Sequence, residues 1–176
     1  MIDRNSLSIE EWGDVISVPA SIGALVVTAD PSGPMGLIKE FRAIMDSIKS
    51  YVEQHSASSP LMSAIHTYLT TKPTDEEEAD LKRWAEEQQE EMKANRPQSP
   101  EEMKTLVRER TSEVLAMLRS KGATEEDVSL FKRLMYTVAE GVANASKEGG
   151  FLGFGGTRVS DAEQSVLAQI KTELGV

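Results

Sequence analysis

Residues 124–145 read TEEDVSLFKRLMYTVAEGVANA, and their apolar positions recur at alternating spacings of three and four residues. That spacing aligns one apolar stripe along a helix, the seam by which a helix packs closely against its neighbours. Thr124 stands where a helix N-cap is expected, in front of an acidic first turn. Residues 124–145 therefore predict a tightly packed helix. Its seam consists of Val128, Phe131, Met135, Val138, Val142 and Ala145.

The rest of the chain divides into further helices at clear start and stop signals. Ser8 and Ser160 each stand three residues before a glutamate, which is the capping box of a helix start. Gly122 is placed as a left-handed helix stop, and Pro19 predicts a kink or a break in the first helix. Further N-caps are expected at Ser59, Thr74 and Ser99. The sequence predicts one all-α domain over residues 1–176, a helical bundle of about six or seven helices with no sheet.

The second helix is expected to follow a turn at residues 30–34 and to bury a long apolar stripe. Its spacing is that of a helix and not the alternation of a strand. The stripe predicted to face the core is Leu37, Phe41, Ile44, Ile48 and Tyr51, widened by Ile38, Met45 and Val52.

Charge and composition exclude several classes of function. A net charge of −10 over 176 residues disfavours nonspecific binding to nucleic acid or to anionic membranes. The absence of cysteine excludes disulfides and thiolate chemistry and suits a cytoplasmic protein. The apolar residues 15–29 contain Pro19 and fall short of the roughly 20 residues that span a bilayer. We therefore expect a buried core helix there and no membrane span.

Residues 148–158, EGGFLGFGGTR, form the most unusual segment of the chain. Glycines free the backbone to take conformations closed to other residues, while Phe151 and Phe154 need a surface to cover them. We expect this loop to be a contact or binding element, and a structure with the turn at residues 31–36 beside it would strengthen that hypothesis. Its expected binding residues are Gly149, Gly150, Phe151, Phe154, Gly155, Gly156 and Arg158.

Two other interpretations of this loop stay open. In the first, the phenylalanines fold back over the end of the bundle, and the glycines permit the tight path. Alternatively, backbone N–H groups at a helix start, with Arg158, favour an anion. The strand and the Gly-Lys-Ser run that accompany nucleotide-binding loops are absent from the sequence.

A divalent metal ion is the alternative ligand. Glu148, Asp161 and Glu163 flank the loop and carry the oxygen ligands that hard cations prefer. The two histidines lack the Glu-x-x-His register of di-iron bundles. No nucleophile stands in a recognisable catalytic motif, so no catalytic residue is assigned and a non-enzymatic role is favoured.

The C-terminal quarter resembles TerB-type tellurite-resistance helical modules. The resemblance rests on residues 130–133 and 138–139, the glycine loop, and the Val-Ser-Asp-Ala-Glu-Gln run at 159–164. It implies a Val- and Ala-rich helix joined to a capped acidic helix, with acidic residues that hold metal. Glu148 and Glu163 are the residues that would carry this role across. The chain is otherwise similar to small bacterial helical proteins without an assigned activity.

These patterns lead to two functional hypotheses. The first is a non-enzymatic interaction or stress-associated protein whose Gly/Phe loop contacts a protein partner or a second copy of the chain, with no cofactor. The second is a TerB-like bundle that binds a divalent metal ion or an anion.

Overall fold

The computed structural model describes residues 2–29, 33–145 and 159–176, and these ranges contain α-helices and no β-strand. A 3₁₀ turn at Arg4–Ser6 precedes the first helix. The prediction of an all-α bundle is therefore confirmed for the described chain. The helices are α1 (Ile9–Ala29), α2 (Gly33–His55), α3 (Pro60–Thr70), α4 (Asp75–Ala94), α5 (Pro100–Ser120), α6 (Glu125–Ala145) and α7 (Asp161–Leu174).

The helices begin at the predicted capping residues. At α1 the Ser8 N–H donates to a Glu11 carboxylate oxygen at 2.8 Å, and the Glu11 N–H donates to Ser8 Oγ at 3.2 Å. Ser160 and Glu163 form the same two-way box at α7. Gly122 follows α5 with φ of +94°, in the left-handed region expected of a helix stop. Ser59, Thr74 and Ser99 cap α3, α4 and α5.

α6 lies at the centre of the bundle, with α1 and α2 packed along it. Its predicted seam is confirmed, because five of the six seam side chains are at most 1% exposed, while Ala145 at the helix end is half-buried. The five are Val128, Phe131, Met135, Val138 and Val142. Burying one large apolar side chain contributes about 1.5–3 kcal/mol. Losing one seam residue would therefore remove a large part of a typical net stability of about 5–15 kcal/mol.

α1 is the second core helix and touches α2, α4, α5, α6 and α7. It is continuous through Pro19, so the predicted break is wrong. Pro19 is buried, and packing on several sides keeps the helix intact although one backbone hydrogen bond is lost there. Among the described helices α1 alone is long and apolar enough to cross a membrane. Half of its most apolar window is buried in the bundle, as predicted for a core helix.

α4 is peripheral. None of its residues is buried, and it packs against α1, with a further side-chain hydrogen bond from Arg110 of α5 to Gln88. The contact centres on Gly13 of α1, where an added Cβ would lie 2.6 Å from the indole ring of Trp84. An ion pair of 2.7 Å between Arg4 and Glu77 adds a second contact near the start of α4.

Candidate functional site

α2 and α6 run antiparallel and approach most closely at a glycine. A Cβ at Gly141 of α6 would overlap Ser47 Oγ of α2, so a residue without a side chain is needed there. Near the other end of this pair, Ser59 Oγ–H donates to the Asp127 carboxylate at 2.5 Å. The N-terminus of α2 therefore lies beside the C-terminus of α6.

α1 and α7 bring two more helix ends to the same place. Glu11, early in α1, pairs at 2.7 Å with Lys121, just before α6, while Gly23 late in α1 lies against Val138 late in α6. α1 is therefore parallel to α6. α7 is antiparallel to α6, since the Lys171 ammonium lies 5.6 Å from the ring of Tyr136, while Leu174, later in α7, lines the same groove as Lys132, earlier in α6. One end of the bundle thus gathers the ends of α1 and α6 and the starts of α2 and α7.

This geometry bears on whether the turn at residues 31–36 lies beside the Gly/Phe loop, the condition that would strengthen the binding hypothesis. The helix ends that flank the turn and the loop share one end of the bundle. The loop residues predicted to bind a partner or ligand lie outside the described residues, so their role stays a prediction. These residues are Gly149, Gly150, Phe151, Phe154, Gly155, Gly156 and Arg158.

The first turns of α2, at this same end, carry an inverted pattern of burial. Glu40 is 1% exposed, whereas Phe41, its neighbour in the chain, is 67% exposed. Leu37 is 48% exposed and Ile38 62% exposed. Residues three and four apart share a helix face, so Leu37, Ile38 and Phe41 form one apolar surface. We call these three side chains the α2 apolar face.

The predicted burial of the α2 stripe is correct for only half of the helix. Ile44, Ile48 and Val52 are buried as expected. The prediction that Leu37 and Phe41 continue this stripe into the core is wrong, because the buried row continues backward by fours through Ile44 to Glu40. Packing against α1 and α6 determines which face of α2 is buried. The apolar side chains of its first turns lie beside this buried row and not on it. Glu40 lies four residues before Ile44, on the line of the buried row, and this charged residue was the signal that the row and the apolar residues diverge.

The acidic residues predicted to hold a metal are only partly described. Asp161 is exposed in the first turn of α7, while Glu163 is 4% exposed. A Glu163 carboxylate oxygen accepts the Ser160 N–H at 2.8 Å, which gives it a capping role. Residues two apart on a helix do not face each other, and residues 2–29, 33–145 and 159–176 contain no group of three His, Asp or Glu side chains placed to hold a metal ion. Glu148 lies outside the described residues, so the three-carboxylate site stays a prediction.

No family model, no curated protein and no solved structure matches this chain. The resemblance to TerB-type modules therefore stays a prediction as well.

Proposed function

We propose that the protein is a non-enzymatic interaction protein whose α2 apolar face binds a partner protein. The proposal rests chiefly on one contrast, in which Glu40 is buried while Phe41 beside it stays 67% exposed. Large apolar side chains grouped on a surface mark sites of interaction more often than single exposed ones do. Aromatic residues are also enriched at the energetic centres of protein interfaces.

The partner we expect presents an apolar surface, such as one face of an amphipathic helix. Three neighbouring apolar side chains on a helix complement a stripe of that kind. The loop residues Phe151 and Phe154 follow the end of α6, which lies at this end of the bundle. We propose that they extend the same binding surface, in keeping with the sequence-based hypothesis.

The experiment compares partner recovery by variants of the full chain. Ile38→Ser combined with Phe41→Ser removes most of the α2 apolar face. Because both side chains are largely exposed, the free energy of unfolding should change by no more than about 0.5 kcal/mol per site. We expect partner recovery, measured by quantitative mass spectrometry from the native cytosol, to fall at least about tenfold, the equivalent of about 1.4 kcal/mol.

Met92→Ser is the matched control, because Met92 is an exposed apolar side chain, 42% exposed, on the distant helix α4. It should leave partner recovery unchanged. Sedimentation of the pure protein shows whether the partner is a second copy, since self-association would then be lost in the double variant. Equal recovery by the wild type and the double variant would contradict the proposal.

A further inference from the structure

A groove of about 230 Å³ lies between α1, α5, α6 and α7. Its walls are α5 and α7, which both pack on α1 but nowhere along their described lengths come within 8 Å of each other between Cα atoms. Helices in direct contact stand about 8–10 Å apart between their axes. The wider spacing of the two walls leaves the groove open between them.

The floor of the groove is apolar and reachable from solvent. Six core side chains line it, and each keeps 4–8% of its surface exposed. This residual exposure is an uncovered apolar surface that a ligand can bury. The six are Ile22 and Leu25 of α1, Val107 and Leu115 of α5, and Ile170 and Leu174 of α7.

The rim of the groove is positively charged although the chain as a whole carries −10. Lys104 is already paired with Glu101 at 2.8 Å. Arg108 and Lys132 form no ion pair within 4.0 Å with a carboxylate of the described chain. The ionisable side chains that line the groove are Lys104, Arg108, Lys132 and Glu173. The excess of cationic over acidic side chains along this groove therefore favours an anion there, against the net negative charge of the chain as a whole.

We propose that this groove binds one amphiphilic anion of the fatty carboxylate class. Its hydrocarbon chain covers the apolar floor, and its carboxylate lies beside Arg108 and Lys132. A guanidinium group matches the two oxygens of a carboxylate in a bidentate arrangement. The inference is independent of the proposed function, because the described lining of the groove includes no residue of α2.

The size of the groove favours a single slender chain over a peptide. Pockets for drug-sized ligands have volumes of about 300–1,000 Å³, more than the 230 Å³ found here. A helical peptide is about 10 Å across and would need the walls to separate. A free carboxylate with a flexible chain needs no such movement.

The test is titration calorimetry of the full chain with sodium decanoate below its micelle-forming concentration. We expect a dissociation constant below about 1 mM, that is, a binding free energy beyond about −4 kcal/mol. Arg108→Gln combined with Lys132→Gln should weaken binding at least about tenfold. Arg108 is exposed and Lys132 half-buried at the rim, and neither belongs to the apolar core, so circular dichroism should show an unchanged helical content.

Arg133→Gln is the matched control, since Arg133 is the exposed neighbour of Lys132 but does not line the groove. Its charge instead acts on Tyr51 of α2, where it opposes the rise in pKa that burial causes. It should bind decanoate as the wild type does. Butyrate lacks the chain and decyltrimethylammonium lacks the anion, and neither should give measurable heat. No binding of decanoate, equal binding by the double variant, or equal binding of the decyl cation would each overturn the proposal.

Discussion

Asp127 connects two helix starts through one carboxylate. One oxygen accepts the Ser59 hydroxyl and, at 3.3 Å, the Leu61 N–H, while the other accepts the N–H and the hydroxyl of Thr124. Burial raises the pKa of Asp127, but these hydrogen bonds together outweigh it and hold the pKa below the usual range of an aspartate. At 2% exposure, the ionised side chain ties the start of α3 to the start of α6.

Asp127→Asn should therefore destabilise the protein in a pH-dependent way. Because the folded-state pKa is lowered, the contribution of the carboxylate is present above the unfolded pKa of about 3.9 and is lost as the pH falls through the folded value. We expect a loss of about 2–3 kcal/mol at pH 7 and a smaller loss at pH 3, measured by urea unfolding. Glu125→Gln, on the exposed side of the same turn, is the control. An equal loss at both pH values would contradict this account.

Glu163 tests the capping role against the metal hypothesis. Glutamine accepts the same hydrogen bond at the third position of a capping box, whereas it is a poor substitute for a charged ligand. Glu163→Ala should lower the free energy of unfolding by about 1–2 kcal/mol and Glu163→Gln by less than half of that. Melting temperatures should not respond to millimolar Mg²⁺, Ca²⁺ or Mn²⁺. A rise with one of these ions in the wild type, absent from Glu163→Gln, would instead support the predicted metal site.

At the scale of the element, α4 is the helix least firmly held in the described chain. It buries none of its residues and rests on α1 through Trp84 over Gly13. Segments with few buried contacts open at low free-energy cost. Disrupting this contact should therefore loosen α4, which is also tied by the Arg4–Glu77 ion pair and an Arg110–Gln88 hydrogen bond, while the α1–α2–α6 core stays folded.

Gly13→Val tests this expectation, because its side chain would occupy the space of the Trp84 ring. Tryptophan fluorescence should shift to the red as Trp84 becomes exposed, since Trp12 is 1% exposed and stays in the core. Hydrogen exchange should accelerate in residues 75–94 and not in α6. Ala79→Val, at an exposed position of α4, is the control and should change neither signal. Uniform acceleration across all helices would show that α4 does not open separately.

Sequence reasoning predicted the helix boundaries better than the helix environment. Caps such as Ser160 with Glu163 are local interactions, so their residues can be recognised without knowing the neighbours. The continuity of α1 at Pro19 and the exposure of Phe41 depend on tertiary packing, which periodicity alone does not contain. The same limit applies to the groove, whose floor residues all follow ordinary core patterns. It arises from the separation of α5 and α7, a distance that no local pattern records.

At the scale of the whole molecule, the bundle brings four helix ends together at the position where the α2 apolar face is exposed. Leu37, Ile38 and Phe41 lie at that end, where α6 ends and α7 begins. A binding surface at the end of a bundle leaves the packed core unchanged when a partner is bound. Binding should therefore add to stability without altering the helical content.

Site-specific photo-crosslinking tests the central claim about this surface most directly. A photoreactive phenylalanine derivative replaces Phe41 in one variant and Met92 in another, and each is irradiated in the cells that produce the protein. The account predicts a product of defined mass from position 41, equal to a dimer or to one partner, and no such product from position 92. No product from position 41, or the same products from both positions, would contradict it.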